Sequence, residues 1–482
     1  MTVLHAEALT VTSGQGTMVA PISLAIEPGQ CVTLIGETGS GKSLFAQAIL
    51  GTLPKDLSAS GGLRIAGQDV ALDDPQALAG LWGKVISVLP QEPWRALDPL
   101  MRARQQVAEV HALVTGQENP EAAAQADLAA LDLGEAADCY PFELSGGMAQ
   151  RLAIAAARAG GARIVVADEP TKGLDIARRD EVARRLKSVT RDGGALLTIT
   201  HDLDLAEALG GEILVLRNGR LVERGPAAQV LRCPSESYTA ELVAAQPRNW
   251  PDKPAAQAGA PVLTARGLSV ARGGRRLIDG LDLSLRAGEV VGLCGPSGVG
   301  KSSLGDTLLG ITAPAAGTVL RGAGLARERF QKLWQDPPAA FAPKLSLGRA
   351  LKDLISLHRI PGDRLTPLLE QLRLEPALLD RRPDAVSGGE LQRLSIVRAL
   401  LLDPVLLFAD EPTSRLDPLT QQQVMRLLTD LARTKGIAVL LVSHDPGLIA
   451  KATDRQIALS LETAPDEVAS ATGIGAGRRA RS

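Results

Sequence analysis

The sequence predicts an α/β protein built twice in tandem, each copy a mainly parallel sheet covered by helices, and three observations predict it. The first is a repeated order of signals. A phosphate-loop pattern, a glutamine, a Ser-Gly-Gly, an Asp-Glu pair and a histidine occur once in each half of the 482-residue chain. The last four recur 242–244 residues further on, at Gln335, Ser387, Glu411 and His444 after Gln91, Ser145, Glu169 and His201. A repeat of that length is a duplicated domain, not a solenoid unit. The second observation is a set of short apolar runs, Cys31–Ile35, Val290–Cys294, Ile164–Ala167 and Leu406–Ala409, each stopping at glycine or aspartate. Runs apolar on both faces fit central strands of a covered parallel sheet, with ligands expected beyond their carboxyl ends. The third is composition. Hydrophobic residues make up 45% of the chain and aromatics only 2%, so two helix-rich cores must rest on Leu, Val, Ile and Ala.

Residues 1–247 form the first domain, opening on a strand-like segment from Leu4 to Val11 and running through the first phosphate loop into a helix that starts at Lys42. Its closing segment, Leu221–Pro226, reads as a strand ending in a turn, followed by a short helical tail. Residues 248–261 are rich in Pro, Ala and Gly without an apolar period, and read as an exposed linker. The second domain, 262–462, opens on Leu263–Val270 in the same style, and residues 463–482 read as a disordered tail. Lys42 precedes Gln91 by 49 residues, whereas Lys301 precedes Gln335 by 34. The second copy is therefore expected to lack part of a small peripheral β region.

A net charge of −2 gives no reason to expect general binding to nucleic acid. No run reaches the roughly 18 apolar residues of a membrane span, and the first residues lack the pattern of a secretory signal. Both point to a cytoplasmic protein whose contact with a membrane runs through partners. The four cysteines, Cys31, Cys139, Cys233 and Cys294, show no metal spacing and are expected to be reduced thiols, with Cys31 and Cys294 at matching places of the strands before the two loops.

The chemistry concentrates in the repeated signals. The loops are Gly36, Glu37, Thr38, Gly39, Ser40, Gly41, Lys42 and Ser43, and Gly295, Pro296, Ser297, Gly298, Val299, Gly300, Lys301 and Ser302. Both fit G-x-x-x-x-G-K-[ST]: glycines let the backbone approach phosphate oxygens, the following helix adds its positive N-terminus, and the lysine reaches the terminal phosphates. Ser43 and Ser302 offer hydroxyls to Mg²⁺, and Asp168 and Asp410 end strands where a carboxylate can hold the same ion. Glu169 and Glu411 stand beside them, placed to polarise an attacking water.

The segments around Ser145, Gly146 and Gly147 (LSGGMAQR) and around Ser387, Gly388 and Gly389 (VSGGELQR) resemble the signature of ATP-binding cassette (ABC) ATPases. The resemblance covers nearly the whole chain twice. It implies tandem P-loop ATPase domains, each with a parallel core sheet, a small antiparallel β region and a helical signature subdomain. It implies that the signature residues bind the γ-phosphate of ATP held by the opposing domain. It assigns Gln91 and Gln335 to sensing Mg²⁺ and the membrane partner, and His201 and His444 to the γ-phosphate and the attacking water. The stretches from Gln91 to Met101 and from Gln335 to Leu345 further resemble the oligopeptide/dipeptide/nickel importer ATPases, as does the segment Cys233–Leu242, a variant of that branch's His-Pro-Tyr-Thr tail. Some members bind an iron–sulfur cluster there; with Cys233 alone, no cluster is expected. The family usually stacks an aromatic on adenine, where this chain has Ser13 and Arg272.

The function implied is that of an ATP-hydrolysing, energy-coupling subunit of a binding-protein-dependent importer for peptides or a related small solute, with ATP and Mg²⁺ as cofactors. Two permease subunits and an extracytoplasmic solute-binding protein would be its partners, at the inner face of the plasma membrane. Trp94 and Phe341 are candidate anchors for permease helices, with a core role as the alternative for each. The competing reading is a tandem ATPase outside transport: a translation or repair factor, or a component of a phosphonate-degrading complex.

Overall fold

The computed structural model describes residues 2–90, 96–171, 176–253, 258–296, 298–414 and 416–460. Gln91, Trp94, Ser297 and the expected tail lie outside them. Two compact units emerge: Met1–Asp252 with Ser387–Gly389 and Thr413–Leu427, and Lys253–Val386 with Glu390–Pro412 and Leu428–Ser482.

In the first unit, β1 (Leu4–Ser13) pairs antiparallel with β2 (Gly16–Ile26). β3 (Cys31–Ile35) carries the chain into the phosphate loop and the helix Lys42–Leu50. β4 (Leu57–Ile65) and β5 (Gln68–Asp69) complete an antiparallel sheet of order β2-β1-β4-β5. The core sheet adds β6 (Ile86–Leu89), β7 (Ile164–Asp168), β8 (Ala195–Ile199), β9 (Glu212–Arg217) and β10 (Arg220–Pro226), in the order β10-β9-β3-β8-β7-β6. All its pairs are parallel except the β9–β10 hairpin. As the sequence predicts, the closing strand leads into helices Ala227–Arg232 and Ser237–Ala244.

The second unit repeats the plan. β11 (Pro261–Arg272), β12 (Arg275–Arg286) and, further along, β14 (Ala316–Arg321) form the antiparallel sheet, while β13 (Val290–Cys294) leads into the second loop. β15 (Phe330–Leu333), β16 (Leu406–Asp410), β17 (Ala438–Val442) and β18 (Arg455–Ala458) build the parallel sheet β15-β16-β17-β13-β18. Its order matches the first from β6 to β9. Among the described residues the second antiparallel sheet has three strands and the first has four, which is where the shorter loop-to-glutamine distance is absorbed.

Both cores are aliphatic, as the composition requires. Val32, Leu34, Ile49, Val166 and Leu197 pack around Phe45 under the first sheet; Leu293, Leu304, Leu308 and Leu440 pack around Phe408 under the second. A volume exchange links the copies. Ala46 and Val166 hold the places that Gly305 and Phe408 hold in the second copy, and a Cβ on Gly305 would lie 2.1 Å from the Phe408 ring. The larger ring is tolerated because the facing side chain is gone.

One sequence expectation needs correction. Cys31 begins β3 and is buried, whereas Cys294 ends β13 and is partly exposed. The residue matching Cys31, five before the first glycine of its loop, is Val290. Phe341 is buried, in the core role that the sequence left open for it. Lys253, in the expected linker, is fastened to the second unit by a partly buried 2.8 Å ion pair with Asp454.

Candidate functional site

The register brings the predicted residues together at the carboxyl ends of the strands. Leu34 and Asp168 both pair with Ile199 across β8, so the first loop and the acid pair share one height. Leu293 and Asp410 both pair with Val442 in the second copy. Past β3 the backbone must turn in a way only glycine permits. Gly36 has φ 146°, and a Cβ there would lie 2.2 Å from the Leu216 carbonyl. Gly41, with φ 97°, then caps the helix that starts at Lys42.

Lys42 is buried, and its Nζ donates to the carbonyls of Gly36 (2.8 Å) and Glu37 (2.7 Å) and to Ser40 Oγ (3.3 Å). Burial lowers its pKa, opposed by the charges of Glu169 and Asp168. Lys301 Nζ makes the matching bonds to Gly295 (2.8 Å) and Pro296 (2.9 Å). Val299 replaces Ser40, so this hydroxyl contact belongs to the first loop. Gly39 and Gly298 take left-handed backbones, with φ 84° and 80°.

Ser43 Oγ lies 3.5 Å from Asp168 Oδ1, and Ser302 hydrogen-bonds Asp410. Oxygen donors of this kind suit a hard divalent ion such as Mg²⁺. Burial pushes the Asp410 carboxyl up, which the Ser302 bond and the nearby Lys332 ammonium oppose. Lys332 lies 2.6 Å from Asp306 and 3.7 Å from Asp410 Oδ2. Its counterpart by sheet register is Val88. The sequence motifs give no sign of this difference between the copies.

Glu169 and Glu411 both have φ 47°, a left-handed backbone that side-chain-bearing residues adopt at a cost of about 1–2 kcal/mol. Backbone bonds from Glu169 N to Ile199 O (2.8 Å) and Glu411 N to Val442 O (3.1 Å) hold that bend and turn each carboxylate toward the histidine. Glu169 Oε1 lies 2.8 Å from His201 Nδ1, while its Oε2 accepts from Thr200 Oγ1 (3.2 Å) and His201 N (3.3 Å). Burial alone would raise the Glu169 pKa, but the His201 contact and the charge of Lys42 leave it lowered. Burial likewise opposes charge on His201, and Glu169 outweighs it, so His201 is raised. In the second copy Glu411 Oε1 lies 2.7 Å from His444 Nε2, and Gln335 Nε2 donates to Glu411 Oε2 at 2.9 Å.

Ser145 caps the helix Gly146–Ala159, accepting from Met148 N at 3.3 Å, and Ser387 precedes the helix Gly388–Leu401. Sequence reasoning overlooked Gln150. Three residues after Gly147, it is buried and donates to the Pro170 carbonyl at 2.7 Å, tying the signature helix to the loop after Glu169. The signal was present, since Gln392 holds the same place in the second signature. Ser13 and Arg272 end the first strands of the two antiparallel sheets.

Two phosphate loops, each beside an acid pair whose glutamate faces a histidine, define a nucleotide-hydrolysing protein with two sites of one design. The ABC transporter family matches residues 19–172 and 278–414, and the chain belongs to it: it is an ATP-binding ABC ATPase. "Peptidoglycan transport ATP-binding protein YejF" of Agrobacterium fabrum is 33% identical over 468 residues, 90% of this chain and 86% of its own length. "Glutathione import ATP-binding protein GsiA" of Salmonella typhi is 30% identical over 506 residues, 91% of this chain and 81% of its own. Among solved structures, "RNase-L Inhibitor" aligns with a TM-score of 0.63 at 22% identity, over 93% of this chain and 87% of its own. That likeness speaks to the fold alone. Among the described residues no helix is long and apolar enough to cross a membrane.

Proposed function

We propose that the chain is the energy-coupling subunit of a binding-protein-dependent importer for peptides or a related small solute, and that both of its sites hydrolyse ATP. The observation that carries this reading is the pairing of a left-handed glutamate with a histidine at both strand ends, Glu169 with His201 and Glu411 with His444. Kinship with ATP-binding proteins named for peptidoglycan transport and glutathione import supports the solute class.

Ser43 with Asp168, and Ser302 with Asp410, would hold Mg²⁺, whose positive charge would offset the negative charge of the phosphates. Gln335, already bonded to Glu411, would complete the second set, with Gln91 in the same role at the first. The loop N–H groups and Lys42 or Lys301 bind and orient the phosphates. Glu169 and Glu411 accept a proton from the attacking water; His201 and His444 fix the carboxylate and face the γ-phosphate. Each active site would be completed by the opposing signature, Ser387 at the Lys42 loop and Ser145 at the Lys301 loop. Closure on ATP and release after hydrolysis would then drive two permease subunits at the inner face of the plasma membrane.

The test is reconstitution of the chain in vesicles with candidate permeases and a peptide-loaded binding protein. Stimulated ATPase activity and peptide uptake are expected. Equal ATPase activity with and without permeases, and no uptake, would overturn the importer reading.

A further inference from the structure

The tail of the first unit touches the first phosphate loop. Tyr238, on the helix Ser237–Ala244, is buried, and its Oη accepts a hydrogen bond from the Glu37 N–H at 3.1 Å. Burial pushes the phenol up, so it is a neutral hydroxyl with a lone pair to offer. The ring is fixed from two sides. The Arg217 guanidinium lies 4.6 Å from its centroid, and Ile213, Val230 and Leu242 share its core cluster. The tail itself is anchored where the Glu223 carboxylate accepts from Ser235 N (2.8 Å), Ser235 Oγ (2.8 Å) and Glu236 N (3.3 Å).

Glu37 is thus held at both ends of its backbone. Its N–H goes to Tyr238, and its carbonyl accepts from Lys42, the residue that reaches the phosphates. The second copy solves the same problem differently. Pro296 stands in place of Glu37, keeps the carbonyl contact to Lys301 and has no N–H to satisfy. The glycines of the two loops nonetheless match: φ is 146° and 148° at Gly36 and Gly295, and 97° and 106° at Gly41 and Gly300. A proline ring fixes the second loop, and a tyrosine hydroxyl fixes the first.

We propose that Tyr238 is a positioning residue of the first ATP site, holding the phosphate loop in its binding shape through the Glu37 N–H. The proposal rests on the reading of Gly36–Ser43 as a nucleotide site. It gives the tail of the first unit a role at one site and leaves the second independent of it.

The test uses the full chain with Lys301→Ala silencing the second loop, and titrates Mg-ADP by calorimetry. Tyr238→Phe keeps the ring and removes the hydroxyl; it should weaken binding about 3- to 10-fold, the range of one net hydrogen bond. In a Glu37→Pro background, which copies the second loop and removes the N–H, the same substitution should change binding less than about 2-fold, whereas in Glu37→Ala, which removes only the carboxylate beside the phenol, it should keep its effect. A residue with a merely structural role would weaken binding equally in the parent and Glu37→Pro backgrounds, and that result would overturn the proposal. So would unchanged affinity in Tyr238→Phe while Lys42→Ala abolishes binding, which leaves the nucleotide reading standing. If Lys42→Ala binds Mg-ADP as tightly as its parent, the nucleotide reading falls and the proposal with it.

Discussion

Replacing Lys332 with valine, the residue at the matching position of the first copy, should destabilise the second unit and change its metal response. Lys332 Nζ sits 2.6 Å from Asp306 Oδ1 and 3.7 Å from Asp410 Oδ2, with its side chain only 8% exposed. At an effective dielectric near 20, a unit pair at about 4 Å attracts by about 4 kcal/mol before desolvation is charged against it. Removing one partner of a buried pair costs about 3–5 kcal/mol, because the other charge is left uncompensated. The Asp306 side chain is 26% exposed and recovers some hydration, so a loss near the lower end, about 3 kcal/mol, is expected. The Lys332 ammonium also lies 4.4 Å from the Trp334 ring centroid, so that indole's fluorescence reports the change locally. Urea unfolding of the nucleotide-free full chain, followed at Trp334 with Trp82, Trp94 and Trp250 replaced by phenylalanine, is the assay. Adding Asp306→Gln, which copies Gln47 of the first unit, should return more than half of the loss, since no orphan carboxylate then remains beside Asp410. The single variant should also require less Mg²⁺ for half-maximal activity at the second site, because no ammonium competes for Asp410. A Lys332→Val chain that unfolds at the wild-type midpoint, or a double variant no better than the single, would refute the reasoning.

Gly305→Ala should destabilise by about 1–3 kcal/mol through overpacking against Phe408, and Phe408→Val should rescue it by copying the Ala46–Val166 pair; thermal unfolding decides. The Glu169–His201 pair makes a pH prediction. The raised His201 pKa contributes stability that is complete below its ordinary 6.5 and lost as pH rises through the folded value. The lowered Glu169 pKa contributes stability present above its ordinary 4.5 and lost as pH falls through the folded value. The stability difference between wild type and His201→Ala should therefore be larger near pH 6 than near pH 9, by denaturant titration without nucleotide. Ser145→Arg should impair nucleotide trapping at the Lys301 loop more than at the Lys42 loop; damage confined to the Lys42 loop would contradict cross-pairing of the signatures.

Much of this was legible in the sequence because the chemistry sits in contiguous motifs, each at the end of an apolar run. The loop glycines, the acid pairs and the histidines announce themselves by type and spacing, and parallel register then brings them to one height. The smaller size of the second antiparallel sheet among the described residues was legible as a shorter distance between motifs. What was hidden depends on contacts across the sheet or between distant segments. Lys332 reaches Asp410 only because β15 lies beside β16, and Tyr238 reaches Glu37 across 201 positions of chain. The left-handed turn at Glu169 and Glu411 was hidden too, since the residue type argues against it and the backbone bonds that hold it come from a neighbouring strand. Phe341 was ambiguous because a single aromatic has no period from which to read burial.

Hydrolysis of ATP at both sites is tested by removing each glutamate base in turn. Glu169→Gln and Glu411→Gln keep the size of the side chain and remove the base, so each should cut turnover by about 10²-fold or more. Each should also retain uncleaved nucleotide at its own loop, read by trapping a photoreactive ATP analogue and mapping the label to the Lys42 or the Lys301 segment. Labelling that follows the substituted site in both variants is the predicted result. Full turnover in either variant, with wild-type trapping at both loops, would contradict it.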